Sequence, residues 1–335
     1  MKKSSIILLI VSFVCLNLMY ARGNTSESFP RKDREITIIC PQPEGGGTDT
    51  IIRALADELN KDKSAHFSVK NIPGRGTSDG TDYVLSLPAD GYTILVGGTY
   101  TITATMQGKT EGYRKLETVA GLNEDPFVIG VKRGGSYDSF SSLVRKAKTG
   151  HAVVIGHSGT GSATHASCIG LNIAFGHVFT LQQCAGGAGI LEAVKNGTCD
   201  AGIFSQSEIA EANDIQPILI LTQGHSTLGQ LSGVPTFSDC GYNVAVPGFS
   251  YRSLMVRKGT LQQTKERLAD MITKAYMSYS FQQFQKRTGL IQVYSTLKES
   301  DEFMDELIKE YMPIMKETDL YRGSGYISEE LLRVS

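Results

Sequence analysis

The pattern that most constrains this chain is a strand–helix alternation that runs twice, with glycine-rich joints where strands hand over to helices. Glu35–Cys40 (EITIIC) has the length and apolar character of a buried strand. Thr48–Asn60 then sets Ile51, Ile52, Leu55 and Leu59 on one helical stripe. His66–Asn71 reads as a second strand, "IPGRGTSDG" as a turn into a short helix through Tyr83 and Leu87, and Tyr92–Val96 as a third strand. The unit recurs further on. Ala152–Ile155 leads through "GHSGTGSATHAS" into a helix toward Ala174, and Phe179–Gln182 leads through "CAGGAG" into a helix through Val194. Ala201–Phe204 and Pro217–Leu221 complete the second set. Alternation at this spacing predicts an α/β fold with mainly parallel sheets flanked by helices.

Between and after the sets, "GLNEDPFVIGVKRGG" and "GYNVAVPGFSYRSLMVRKGT" each hold an extended apolar run. They are read as two crossover hinge strands, near Asp125–Val131 and Pro247–Val256, that link two lobes. Residues 35–124 plus 251–335 form lobe 1, and residues 125–250 form lobe 2. The C-terminal stretch reads as helical, with Leu268, Met271, Ile272 and Ala275 in one helix and Phe303, Leu307, Ile308, Tyr311 and Ile314 lining another, both returning to the first lobe. Two lobes joined by two crossings make a hinge with a cleft.

The N-terminus carries Lys2 and Lys3 ahead of an apolar stretch from Ile6 to Tyr20, broken only by Ser12 and Asn17. That is an export signal, shorter than the roughly 20 apolar residues of a membrane span. Residues 1–21 are assigned to it and 22–34 to a polar linker, which places the mature protein in the periplasm. Cys15 is a candidate lipid anchor, although Ser12-Phe13-Val14 makes a poor lipobox; a cut after Ala21 is the alternative. At 335 residues the chain is long enough for two domains, and its formal charge of −1 without basic runs offers no footprint for nucleic acid. Its cysteines, at 15, 40, 168, 184, 199 and 240, include no C-x-x-C pair and so give no zinc signature. They are read as small buried hydrophobes, with a bridge between two of Cys168, Cys184 and Cys199 as the alternative.

The glycine loops sit where an α/β sheet binds ligands, beyond the carboxyl ends of strands, where unpaired helix N–H groups favour an anion. "GGGTD" lacks the lysine of a P-loop and the spacing of G-x-G-x-x-G. "GHSGTG" approaches the serine-hydrolase elbow, but with Ser158 as nucleophile the last glycine is replaced by Thr160. His157 would point away from Ser158, and His165, at a helix start, suits binding or a structural hydrogen bond better than catalysis. The result is a cleft with Gly45–Asp49 on one wall and Gly159–Ser162 and Gly186–Gly187 on the other. No carboxylate pair, metal cluster or nucleophile–base pair is legible, so a binder without catalytic residue, metal or cofactor is expected.

The collinear segments "NIPGRGTSDGTDYV", "ADGYTILVGGT", "GTGSATHAS", "CAGGAGILEAVKNGTCDAGI", "GVPTFSDCGY" and "YRSLMVRKGT", after the P-x-P-x-G-G-G-T-D loop, resemble the periplasmic solute receptors of tripartite tricarboxylate transporters, the TctC-like or Bug receptors. The resemblance runs from about residue 35 to the end. It implies a two-lobed type II periplasmic binding protein, acting as a monomer, that closes on a small carboxylate (a di- or tricarboxylate or an amino acid). The receptor would deliver it to integral membrane permease subunits, one large and one small. The family pattern implies contacts from the loop matching Pro41–Asp49, so Gln42, Pro43, Gly46, Gly47, Thr48 and Asp49 enter the site. Thr99 and Tyr100 join from the same lobe. The second lobe would supply Ser158, Gly161, Ser162 and His165, then Gly186 and Gly187, and Ser205 at the end of a strand.

Departures from the pattern bear on the ligand. Gln42 stands where an aromatic is common, which suggests a polar ligand; Glu44, if it faced the cleft, would repel a second carboxylate or pair with an ammonium. Arg75 and Arg252 are candidate charge partners for a distal carboxylate, with Arg252 favoured for its place on a crossover. Asp49 is expected to fix its loop from the first helical turn. Two rival functions are a serine hydrolase using Ser158 or Ser162, and a ligand sensor that feeds a membrane signalling partner.

Overall fold

A computed structural model describes residues 29–210, 212–244 and 246–322. The expected export signal and Cys15 lie outside the described residues. The first set comprises β1 (Ile36–Cys40), α1 (Gly47–Lys61), β2 (Phe67–Asn71), α2 (Ser78–Ser86), β3 (Thr93–Gly98) and α3 (Thr99–Met106). β1 lies between β2 and β3 and runs parallel to both, because a helix returns the chain across the sheet between successive strands. A short α4 (Gly112–Lys115) enters the long β4 (Leu116–Lys132), followed by α5 (Phe140–Lys148).

The second set is β5 (Val153–His157), α6 (Ala163–Phe175), β6 (Phe179–Gln183), α7 (Gly186–Asn196), β7 (Ala201–Ser205), α8 (Gln206–Ile209) and β8 (Ile215–Ile220), with β5 parallel to β6 and β7. The chain closes with β9 (Phe249–Arg257), α9 (Gln262–Tyr276), α10 (Tyr279–Thr288), β10 (Ile291–Thr296) and α11 (Lys298–Glu317).

The strands join in the order β2-β1-β3-β9-β4-β7-β5-β6, and β8 and β10 also pair with β4. β4 links the halves: Leu116–Pro126 pairs with β9, whereas Phe127–Val131 pairs with β7 and Val128–Lys132 with β8. Bulges between Thr118 and Ala120 and between Gly121 and Asn123 bend it before the junction, curling the sheet. The parallel expectation holds within each set, but every pairing of β4 or β9 is antiparallel. The sheet is therefore mixed.

Helix α1 illustrates why the elements form. Ile51, Ile52, Leu55 and Leu59 are all buried, Asp49 stands in its first turn and Lys61 in its last, matching the helix dipole. One apolar cluster runs from Ile39 and Leu95 through Phe127, Ile129 and Ile155 to Met304–Met315, so both halves share a core. Four elements differ from the sequence reading. β10 lies inside the stretch read as helical; its apolar alternation is short and its partner, β4, is remote in sequence. Helices α3 and α5 were not anticipated by the apolar pattern, α3 because its threonines are buried with the rest and it has no exposed face. α11 packs on α3 and β4 but also on α6, reaching both halves and not the first alone. The five described cysteines are free, and Cys40, Cys168 and Cys199 are buried. Among the described residues no helix is long and apolar enough to cross a membrane.

Candidate functional site

The loop after β1 is built around Asp49, which is 1% exposed. Its carboxylate accepts from Gly45 N–H at 2.9 Å, from Asn71 Nδ2 at 2.8 Å, and from Arg53 Nε at 3.1 and 2.9 Å. Burial pushes the Asp49 pKa up, but the bonds from Arg53, Gly45 and Asn71 outweigh it and hold the group below its ordinary value. Asn71 also donates to the Gln42 carbonyl at 3.0 Å, and Gly45 adopts φ +78°, so the loop folds back on itself. What remains forward is the helix start. Gly46 is the N-cap and has no side chain to cap with, and the first helical bond comes from Thr50 N–H to Gly46 O at 3.0 Å. The amides of Gly47 and Thr48 precede that bond and so have no acceptor within the helix.

At the junction, Arg252 on β9 is 4% exposed and Asp125 on β4 is fully buried. The guanidinium donates to Thr48 Oγ1 at 3.0 Å, Asn123 Oδ1 at 3.3 Å and Asp125 Oδ2 at 3.1 Å. From the other half, Ser207 Oγ donates to the same Asp125 Oδ2 at 2.6 Å. A Cβ at Gly47 would stand 3.9 Å from both Arg252 Nη2 and Ser207 Oγ, so here the first wall, the crossovers and the second wall converge. A second bridge joins the halves where Gln107 Nε2 donates to Gly161 O at 3.1 Å.

On the second wall, Ser162 caps α6 by accepting from His165 N–H at 3.2 Å. The hydroxyls of Ser158 and Ser162 both meet Thr164 Oγ1, at 2.8 and 3.1 Å. His165 Nδ1 accepts from Gly161 N–H at 2.9 Å, and its ring stacks on His157 with centroids 4.1 Å apart. Burial, then the neighbouring His157, push the His165 pKa down to about 4, and burial also lowers His157. Neither ring bonds to Ser158 Oγ, which the hydrolase alternative requires. Helix α7 begins without a side-chain cap, and the Glu208 carboxylate lies against Gly187, where a Cβ would come within 2.6 Å of Oε1. Glu208 is reachable by solvent. The surrounding protein and then Asp125 raise its carboxyl pKa, against opposing contributions from Ser205 N–H and Arg252.

The structure thus brings Gly46, Gly47, Thr48 and Arg252 to one junction, with Ser205 and Gly187 across from them. The other expected residues are placed as follows. Arg252, the expected partner of a ligand carboxylate, is paired with Asp125. The Thr99 hydroxyl accepts from Tyr251 N–H at 2.9 Å and Tyr100 OH donates to Val96 O at 3.0 Å, both buried inside the scaffold. Gly161 has its N–H on His165 and its carbonyl on Gln107. Asp49 faces inward, Pro43 is exposed, and Glu44 is an exposed partner of Arg53 at 3.3 Å. Arg75 pairs with Asp79 and Asp82 on the surface. A polar recess of about 420 Å³ lined by Asp82, Lys109, Glu111, Lys115 and Arg257 lies at the opposite end of β9 from Phe249, away from the loops. Sequence reasoning missed Asp125, Ser207, Glu208, Gln107 and the Asn71–Arg53 support. Only Ser205–Glu208 carried a local signal, the S-x-x-E capping box that starts α8.

Residues 51–320 match the family model described as the tripartite tricarboxylate transporter family receptor. BugT of Bordetella pertussis is 26% identical over 306 residues, covering 88% of this chain and 91% of that protein. Among solved structures, a Rhodopseudomonas palustris protein with adipate superposes with a TM-score of 0.76 at 22% identity, covering 86% of this chain and 97% of that one. MatC of the same organism, with bound malate, gives 0.72 at 20% identity, covering 84% and 98%. At such identities the superpositions show the fold, the curled mixed α/β architecture of periplasmic solute-binding proteins. With the family model spanning most of the sequence, the chain belongs to the receptor family of tripartite tricarboxylate transporters.

Proposed function

We propose that this protein is an exported solute receptor that captures a small carboxylate between two lobes and delivers it to the membrane subunits of a tripartite tricarboxylate-type transporter. The observation that carries the reading is the uncapped start of α1. The amides of Gly47 and Thr48 stand at a helix start that no side chain caps, beside the junction, where a Cβ on Gly47 would come 3.9 Å from Arg252 Nη2 and Ser207 Oγ. Such N–H groups, at the positive end of a helix dipole, hold a carboxylate without a charged side chain. Across the junction, the hydroxyls of Ser158, Ser162 and Ser205 and the start of α7 at Gly186–Gly187 form the opposing wall.

Lobe 1 is residues 35–124 with 251–335, lobe 2 is residues 125–250, and β4 and β9 are the crossings. The family's receptor role and the relatives that hold malate and adipate support a carboxylate ligand and a place in the periplasm. The test is a thermal-shift panel of mono-, di- and tricarboxylates and amino acids, followed by calorimetry. A true ligand at about 100 times its Kd stabilises the fold by roughly 2.7 kcal/mol. A reactive-serine probe run in parallel addresses the enzyme alternative. Labelling of Ser158 or Ser162, with no acid shifting the melting temperature, would overturn the proposal.

A further inference from the structure

The charges at the junction do not balance. Arg252 and Asp125 neutralise one another at 3.1 Å, and Ser207 supplies a further bond to Asp125. Glu208 is left over. Among the described residues its carboxylate makes no ion pair; its hydrogen bond is the one accepted by Oε2 from Ser205 N–H at 3.3 Å. Oε1 has no donor among the described residues, although it sits over Gly187 at the glycine-rich start of α7, where a Cβ would strike it. The second wall therefore presents a solvent-reachable anion in the space where its own backbone would otherwise receive one. A ligand's second carboxylate arriving here meets like charge, and Arg252 cannot compensate while it is bound to Asp125. An ammonium group arriving here completes the missing pair.

We infer that Glu208 is a specificity-determining residue that selects a carboxylate ligand also carrying an ammonium group, an amino acid, over the matching dicarboxylate. This rests on the receptor reading above. The amides of Gly47 and Thr48 take the ligand carboxylate, and Glu208 takes the ammonium. Its part in the cap of α8 does not account for the placement, because capping uses only Oε2 and leaves Oε1 over Gly187 without a donor among the described residues. Discrimination of this kind combines an attraction for one ligand with a repulsion of its competitor.

The experiment uses the mature protein with matched acids that differ only by the amino group: aspartate against succinate, and glutamate against glutarate. Titration calorimetry is run on the wild type and on Glu208→Gln, which keeps an acceptor for Ser205 N–H. Their melting temperatures control for the cap. The expected result is at least tenfold tighter binding of the amino acid of one pair by the wild type. In Glu208→Gln that preference should fall below threefold, with the melting temperature unchanged. Tighter binding of the dicarboxylates, or an amino-acid preference that survives Glu208→Gln, overturns the inference and leaves the receptor reading standing. If no member of either pair binds, the inference is overturned, and the wider panel above decides whether the receptor reading falls with it.

Discussion

Replacing Arg252 by methionine tests whether its charge belongs to the scaffold or to the ligand. Arg252 is 4% exposed and Asp125 is fully buried, so the pair lies in low dielectric. Arg252→Met keeps much of the volume but removes the donors to Asp125 Oδ2, Asn123 Oδ1 and Thr48 Oγ1. Asp125 would keep only Ser207, through its hydroxyl at 2.6 Å and its amide at 3.4 Å. Breaking one side of a buried pair costs about 3–5 kcal/mol, because the remaining charge is neither solvated nor paired. That is a large part of a total stability of about 5–15 kcal/mol.

Adding Asp125→Asn removes the orphaned charge and retains an acceptor for Ser207, so the double variant should recover at least about 1.5 kcal/mol of the loss. Urea unfolding followed by circular dichroism, with equal slopes across the set, measures all four corners of the cycle. An Arg252→Met variant within about 1 kcal/mol of wild type, or a cycle without coupling, would refute the reasoning. Arg252 would then be free to serve a ligand after all.

Two glycines of the proposed cleft should behave differently under the same change. Gly47→Val has room for its Cβ, with no atom nearer than 3.9 Å, and should melt as wild type while losing at least roughly a hundredfold in ligand affinity. Calorimetry showing unchanged affinity would remove this loop from the site. Gly161→Val, at φ +78° and with a Cβ placed 2.0 Å from Gln107 Nε2, should lower the melting temperature itself; a wild-type melt would contradict the bridge.

Acidification should act through the stacked histidines. The folded His165 pKa of about 4 lies below the ordinary 6.5, so the unfolded chain binds the proton first. The associated stability is complete above pH 6.5 and is lost as pH falls toward 4, by roughly 2–3 kcal/mol. His165→Phe should flatten that part of the urea-midpoint profile, and a profile of unchanged slope would exclude the mechanism. Ligand-driven closure should reduce the radius of gyration in solution scattering, and a tightly bound ligand that leaves the radius unchanged would argue against a two-wall site.

The sequence by itself determined the α/β class, both strand–helix sets and the glycine joints, because each is written in local periodicity. Buried strands such as Ile36–Cys40 and the stripe of α1 need only neighbours in the chain to be recognised. Collinear motifs carried the family as well. The tertiary structure decided where charge resides. Asp125 and Arg252 are 127 residues apart in the sequence, Gln107 and Gly161 are 54 apart, and neither pairing leaves a periodic trace. Read alone, Arg252 is a cation on a crossover and so a plausible ligand partner. Only the fold places a buried carboxylate 3.1 Å away and consumes its charge. β10 and the reach of α11 were hidden for the same reason, since their partners on β4 and α6 are remote. Local rules report which backbone an element adopts, whereas burial and pairing, which set the charge a ligand meets, exist only once distant segments are packed together.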